Sequence, residues 1–211
     1  NNLTLSGILT LDNNRTIAVS NTAETILSGP IHLSNGVTSG NLSLTASPGS
    51  GPLTVSGLID EGAAPQGVKF SLTTGAVIKL TNVGNSYTGA TEGTGTATGN
   101  LEVSKLANGG SVSSIGASTS DASNLILSLG STLRYVGSGD STDRLFTVSG
   151  ASGGINSSGS GALNFTNNGS IAYGAAGTAR TLTLTGTNTD ANSFASVIGD
   201  NGAGLGALTK S

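Results

Sequence analysis

Cysteine, methionine and tryptophan are all missing from this chain of 211 residues, and each gap removes a class of chemistry. Without Cys there is no disulfide framework, no thiolate metal site and no thiol nucleophile. A single histidine, His32, leaves neither a His-based catalytic triad nor a two-His metal site to be built within the chain. Aromatic residues amount to only 3%, too few to anchor a thick globular core on large rings. Charged residues amount to 9%, and the eight Lys and Arg are scattered from Arg15 to Lys210, so the basic patch of a nucleic-acid binder is absent. No apolar run approaches the roughly 18 to 20 residues that span a bilayer, and no basic segment leading into a hydrophobic stretch opens the chain as an export signal. The expectations are no nucleic-acid partner, no membrane insertion by this segment, no metal and no cofactor.

What is present is glycine, 34 residues of it, with Ser, Thr and Asn together more than twice as numerous. Such a composition can belong to a disordered chain, but disorder couples low hydrophobicity to high charge. Here 35% of residues are apolar and the mean hydropathy is +0.11, so the chain has material to bury. The apolar residues fall in short alternating runs closed by turn formers: Leu3-Thr-Leu-Ser-Gly7, Leu42-Ser-Leu-Thr45, Leu53-Thr-Val-Ser-Gly57, Val77-Ile-Lys-Leu80, Leu125-Ile-Leu-Ser-Leu129, Leu182-Thr-Leu-Thr-Gly186. Period-two alternation of Leu and Thr predicts strands with Leu inward and Thr outward. No window carries a helical apolar stripe free of Gly and β-branched residues, so the fold class is all-β.

Sandwich, propeller and solenoid all use short strands. The near-repetition of Leu-Thr-(Leu/Val)-(Ser/Thr)-Gly at positions 3, 53 and 182 favours a parallel β-solenoid, whose coils stack about 4.8 Å apart with like residues over like and Asn forming ladders at the turns. A sandwich calls for hairpins, and the Asn-Gly pairs at 35–36, 108–109, 168–169 and 201–202 are too few to supply them. Residues 89–100, 137–143 and 150–161 read as irregular loops, and residues 1–211 as one segment.

Candidate chemistry is sparse. Polysaccharide-degrading β-helices use clustered Asp with Arg or Lys, so Asp60-Glu61, expected in a loop, and Asp140, Asp143 and Arg144 are the residues to weigh for acid–base work on sugars. Turns held by Asx bonds explain both groups without catalysis. His32 reads as a solvated or edge residue. The seven aromatics, Phe70, Tyr87, Tyr135, Phe146, Phe165, Tyr173 and Phe194, read as coil-stacking or cap residues rather than a sugar platform. Alternating Thr181, Thr183, Thr185, Thr187 and Thr189 would suit an ice-binding face only if repeated on successive coils. Asn-x-Ser/Thr triplets are expected by chance in this composition. Gly199 to Gly204 is one partial match to a calcium nonapeptide that would have to recur.

The stretch Lys79-Leu-Thr-Asn-Val-Gly-Asn-Ser-Tyr-Thr-Gly-Ala-Thr91 resembles the autotransporter-associated β-strand repeat. Arg180 to Thr189, Asn192-Ser-Phe194, Val197-Ile-Gly-Asp200 and Leu208-Thr-Lys-Ser211 look like its long variants in large bacterial surface proteins, as do Leu133-Arg-Tyr135, Asp143-Arg-Leu-Phe146 and Gly161-Ala-Leu-Asn-Phe165. The likeness covers about residues 67–211 and is looser in the N-terminal third. It implies a right-handed parallel β-helix (β-solenoid), secretion to the bacterial cell surface, a structural or adhesive passenger role and no shared active site. None of these residues alternates as membrane-barrel strands do, so they read as passenger. Residues 207–211 would run on into a sequence like Asn1 to Gly7, which suggests one period of a longer array. The resulting expectation is a non-enzymatic extracellular protein that self-associates head to tail or in tandem into a stalk or fibre, with surface glycans as a further partner. The rival reading is a carbohydrate-binding or polysaccharide-degrading β-helix.

Overall fold

The structure is a computed structural model and describes residues 1–33, 40–94 and 98–211. Strands from distant parts of the chain pair in parallel to build the faces of a β-solenoid. The first face holds nine strands: Leu3–Leu5, Thr25–Leu27, Leu53–Val55, Val77–Leu80, Gly99–Val103, Ser131–Tyr135, Ser152–Ser157, Arg180–Thr185 and Gly206–Lys210. The second holds seven, from Arg15–Val19 through Asn41–Ala46, Gly67–Leu72, Thr91–Gly93, Leu125–Leu127 and Thr147–Val148 to Ala172–Tyr173. The third is in two pieces: Leu9–Thr10, Ile31–Leu33 and Ile59–Glu61, then Ser138–Thr142, Gly161–Phe165 and Ser193–Phe194. Each complete coil passes from the first face to the third, then the second, and returns to the first.

Strand alternation sets the core. On the first face Leu53, Ile78, Leu101, Leu133 and Ile155 are successive Cα partners, all buried. Between them on the outside run Thr54, Lys79, Glu102, Arg134 and Asn156. On the second face Leu42, Leu44 and Ala46 lie beside Val68, Phe70 and Leu72. Along these columns most inward positions meet an apolar neighbour one coil away, and burial of each Leu or Ile contributes about 1.5 to 3 kcal/mol. Thr183 partners Gly154 on one side and Thr209 on the other, and Thr185 partners Asn156, so Thr meets Thr at one step of the stack and does not recur on successive coils.

Four sequence expectations are corrected. Residues 137–143 and 150–161, read as loops for their Gly and Ser, contain the strands Ser138–Thr142 and Ser152–Ser157. Small residues are used there because coils pack closely: a Cβ on Gly161 would lie 2.1 Å from the Ser138 carbonyl oxygen. Of residues 89–100, Thr91–Gly93 is a strand and Gly99–Val103 has already begun, while 95–97 lie outside the described residues, as does the Asn35-Gly36 pair. The long excursion is instead 104–121, between Gly99–Val103 and the 3-10 turn Ala122–Asn124. Asp60-Glu61 lies in the strand Ile59–Glu61 rather than a loop.

The repeated Leu-Thr motif also lands differently at its third occurrence. Leu3 and Leu53 share a column through Thr25, but Leu184, not Leu182, joins the column of Leu53 by way of Ile155. A two-residue offset keeps every Leu on the inner face, because the side-chain period is two.

Candidate functional site

The third face is broken where the excursion 104–121 leaves the stack, and the charged residues weighed for catalysis converge on that break. Asp140, Asp143 and Arg144 sit in and just after the strand Ser138–Thr142, one coil above the excursion. The Asp140 Oδ2 accepts the Leu106 amide at 2.7 Å and the Ala107 amide at 3.1 Å, and its Oδ1 accepts the Ser141 amide at 2.8 Å. The Asp143 Oδ1 accepts the Gly109 amide at 2.7 Å, and the Asp143 amide donates to the Asn108 Oδ1 at 3.0 Å. Between them the Thr142 hydroxyl donates to the Ala107 carbonyl at 2.6 Å, which helps hold Ala107 at φ 50°.

Arg144 completes the clamp from inside. Its side chain is buried, and it faces carbonyl and hydroxyl oxygens, not a carboxylate. Nε donates to the Leu106 carbonyl at 3.2 Å. One terminal nitrogen donates to the Ser118 carbonyl at 2.8 Å and hydroxyl at 2.9 Å. The other donates to the carbonyls of Gly116 at 3.1 Å, Ser111 at 3.2 Å and Asn108 at 3.5 Å. Burial pushes the guanidinium below its usual pKa, while Tyr87 and Asp143 favour its charged form. A planar cation with five donors suits a loop that turns several carbonyls toward it.

Both oxygens of Asp140, one oxygen of Asp143 and the three nitrogens of the Arg144 fork are therefore engaged within the protein, mostly with backbone. Asp140 and Asp143 cap amides, and Arg144 fills a space that the excursion closes. The Asx-type turns expected at these aspartates are not what holds them: Asp140 bonds one adjacent amide, and the remaining carboxylate bonds of Asp140 and Asp143 cross to the excursion one coil below.

Below the break, His32 and Asp60 are Cα partners on adjacent third-face strands, and His32 Nδ1 lies 2.5 Å from Asp60 Oδ1. Glu61 is occupied separately, accepting the Gln66 amide at 2.6 Å and the Thr88 hydroxyl at 2.5 Å. Two partly exposed side chains on neighbouring coils make an ordinary surface pair, and the structure brings neither of them to Asp140, Asp143 or Arg144.

The asparagines carry more of the coil-to-coil bonding than composition suggests, and not as ladders. Asn85, fully buried, accepts the Ile59 amide at 2.8 Å from the coil below and donates to the Ser114 carbonyl at 2.9 Å in the excursion above. Asn192 plays the matching part higher up, accepting the Leu163 amide at 2.8 Å. Asn82, Asn167 and Asn188 form a second class. Each bonds the amide two residues on and donates to a carbonyl one coil below: Ser56 at 3.1 Å, Asp143 at 2.8 Å and Gly159 at 3.0 Å. Stacked backbones leave corner carbonyls unpaired, and an amide side chain satisfies one of them while closing its own turn. The Asn-Ser-aromatic spacing shared by residues 85–87 and 192–194 was the available signal.

Tyr87 and Gly116 tie the break to the core. The Tyr87 carbonyl accepts the Ala117 amide at 2.8 Å, and the buried phenol pairs with the Thr91 hydroxyl at 2.8 Å. Burial raises the phenol pKa well above its usual range. Gly116 has φ +77°, and a Cβ there would lie 2.4 Å from the Tyr87 carbonyl oxygen. Higher in the stack Phe146, Phe165 and Phe194 form a triangle with centroids 5.4 to 6.0 Å apart. Beside it a cavity of about 290 Å³ is lined by Ile155, Leu163, Phe165, Leu184, Phe194 and Lys210 among others.

No family model matches this chain, and no solved structure matches it. It is 47% identical over 191 residues to a protein of Brucella suis biovar 1 (strain 1330) described as "Adhesin BmaC autotransporter". The match covers 90% of this chain but 5% of the relative, so the chain spans a small fraction of that protein's length. Over most of its residues, this parallel β-solenoid is similar to one stretch of an autotransporter adhesin.

Proposed function

We propose that this chain is a non-catalytic segment of a surface-exposed bacterial adhesin passenger, one portion of a stiff extracellular stalk built of repeats of the autotransporter-associated β-strand type. The observation that carries this reading is the 47% identity over 191 residues to an autotransporter adhesin, in a chain whose coils stack in parallel throughout the first face. A non-enzymatic role is supported by where the charged candidates go, because Asp140, Asp143 and Arg144 are engaged with backbone of the excursion.

Coil-on-coil continuation, in tandem within one chain or between copies, is the associated proposal. Leu3 and Leu5 are exposed on one outer strand of the nine-stranded sheet and Leu208 on the other, and a further coil would cover them. Surface glycans are the proposed contact of the finished stalk. The test is binding of the purified segment to host-cell surfaces and to a glycan array, alongside electron micrographs and a polysaccharide hydrolysis assay. Elongated particles that bind and do not hydrolyse fit the reading. Sugar release that disappears in Asp143→Ala would replace it with the enzymatic one.

A further inference from the structure

Three Asn-Gly pairs lie among the described residues, at 108–109, 168–169 and 201–202, and their surroundings differ in a way that bears on covalent ageing. Asn-Gly is the dipeptide most prone to succinimide formation, since the glycine amide meets little steric hindrance. The Gly nitrogen loses its proton and bonds to the Asn Cγ. The Cγ–Nδ2 bond then breaks and ammonia leaves. Water opens the ring to aspartate or isoaspartate. The reaction needs an Asn side chain free to rotate onto the next nitrogen.

Two of the pairs are held away from that geometry. At 108–109 both partners are engaged with one residue: the Gly109 amide donates to the Asp143 carboxylate at 2.7 Å, and the Asn108 Oδ1 accepts the Asp143 amide at 3.0 Å. At 201–202 the Asn201 side chain is buried, and its Nδ2 donates to the carbonyls of Ala175 at 2.7 Å and Thr178 at 3.0 Å. Rotating either side chain requires a local opening that breaks contacts between coils. Asn168 is exposed, and no hydrogen bond engages its side chain among the described residues. The Gly169 amide is engaged only by the neighbouring Asn167 Oδ1, at 2.8 Å.

We propose that Asn168 is a site of spontaneous deamidation on the folded solenoid, while Asn108 and Asn201 are protected by the contacts between coils. The modification places a new carboxylate, and in part an isoaspartyl linkage, at an exposed corner next to the bridge between Ser170 and Val197.

The test is peptide mapping by mass spectrometry, with isoaspartate resolved, on the full chain aged in mildly alkaline buffer, folded and in urea. In the folded chain Asn168 is expected to convert about tenfold or more faster than Asn108 and Asn201, and in urea the three rates should converge. Asp143→Ala should accelerate conversion at Asn108 and leave Asn201 as it was. Equal rates at the three sites in the folded chain would overturn the proposal, as would an intact Asn168 beside a rapidly converting urea control.

Discussion

Arg144 donates to the carbonyl oxygen of Gly116 at 3.1 Å across a separation of 28 residues, and with its other bonds it holds the excursion 104–121 against the stack. Its bonds to Leu106, Gly116 and Ser118 are buried. Replacing Arg144 with Met should cost on the order of 3 kcal/mol, the scale of losing charge-assisted bonds and leaving buried carbonyls unpaired. Arg144→Lys should recover little of this, because a single ammonium cannot span the acceptors that the guanidinium fork reaches. Urea unfolding of the three proteins checks the ordering.

Asn85 and Asn192 make the same amide contact in different surroundings. Asn85 is fully buried and Asn192 is exposed. Asn85→Ala should therefore cost about 2 kcal/mol, while Asn192→Ala should cost well under half as much because water replaces the lost partner. Equal losses in chemical denaturation would show that solvent access does not set the strength of these staples.

The phenylalanine triangle joins successive coils through two edge contacts made by Phe146 and one tilted contact between Phe165 and Phe194. Phe146 and Phe165 are buried, whereas Phe194 is half-buried. Phe146→Ala and Phe165→Ala should each destabilise by about 3 to 5 kcal/mol, with a smaller effect for Phe194→Ala. Hydrogen exchange should place the loss in Ser138–Thr142 and Gly161–Phe165, with the coils of Leu3–Leu5 and Thr25–Leu27 unaffected.

The three tyrosines bear on alkaline stability. Burial is the main cause that raises the phenol pKa of Tyr87, Tyr135 and Tyr173. A raised folded pKa means the unfolded chain ionises first, near pH 10. The contribution to stability is full below that pH and is lost as pH rises toward the folded values. Phenolate absorbance of the folded protein should lag that of the urea-unfolded chain above pH 10, then appear together with unfolding. Superimposable titration curves would contradict the burial of these rings.

The parallel solenoid was legible because period two and the recurring Leu-Thr unit depend only on local alternation, which survives even where Leu182 sits two residues off the column of Leu53. The excursion at 104–121 was not legible. Ser113, Ser114 and Ser118 are buried by the reach of Arg144 and Asn85 from other coils, and nothing near them in sequence marks that. Conversely, the Gly and Ser of 152–157 read as a loop, yet small residues are what the strand needs there: a Cβ on Gly153 would lie 2.9 Å from the Leu127 Cβ. Asp140 and Asp143 were visible as unusual acids, but their partners Leu106, Ala107 and Gly109 come from one coil below and could be found only with the stacking known.

The most direct test of the stack uses the absence of native cysteine. Glu102 and Arg134 are Cα partners on adjacent parallel strands of the first face, both outward. The double variant Glu102→Cys with Arg134→Cys should form an intramolecular disulfide on mild oxidation, since neighbouring strands lie about 4.8 Å apart, within disulfide reach. Glu102→Cys with Tyr135→Cys should not, because Tyr135 is buried on the opposite side of the strand. Rapid cross-linking of the first pair alone is the predicted result. Failure of that pair in a folded protein, or equal cross-linking of both, would contradict the parallel register on which the account rests.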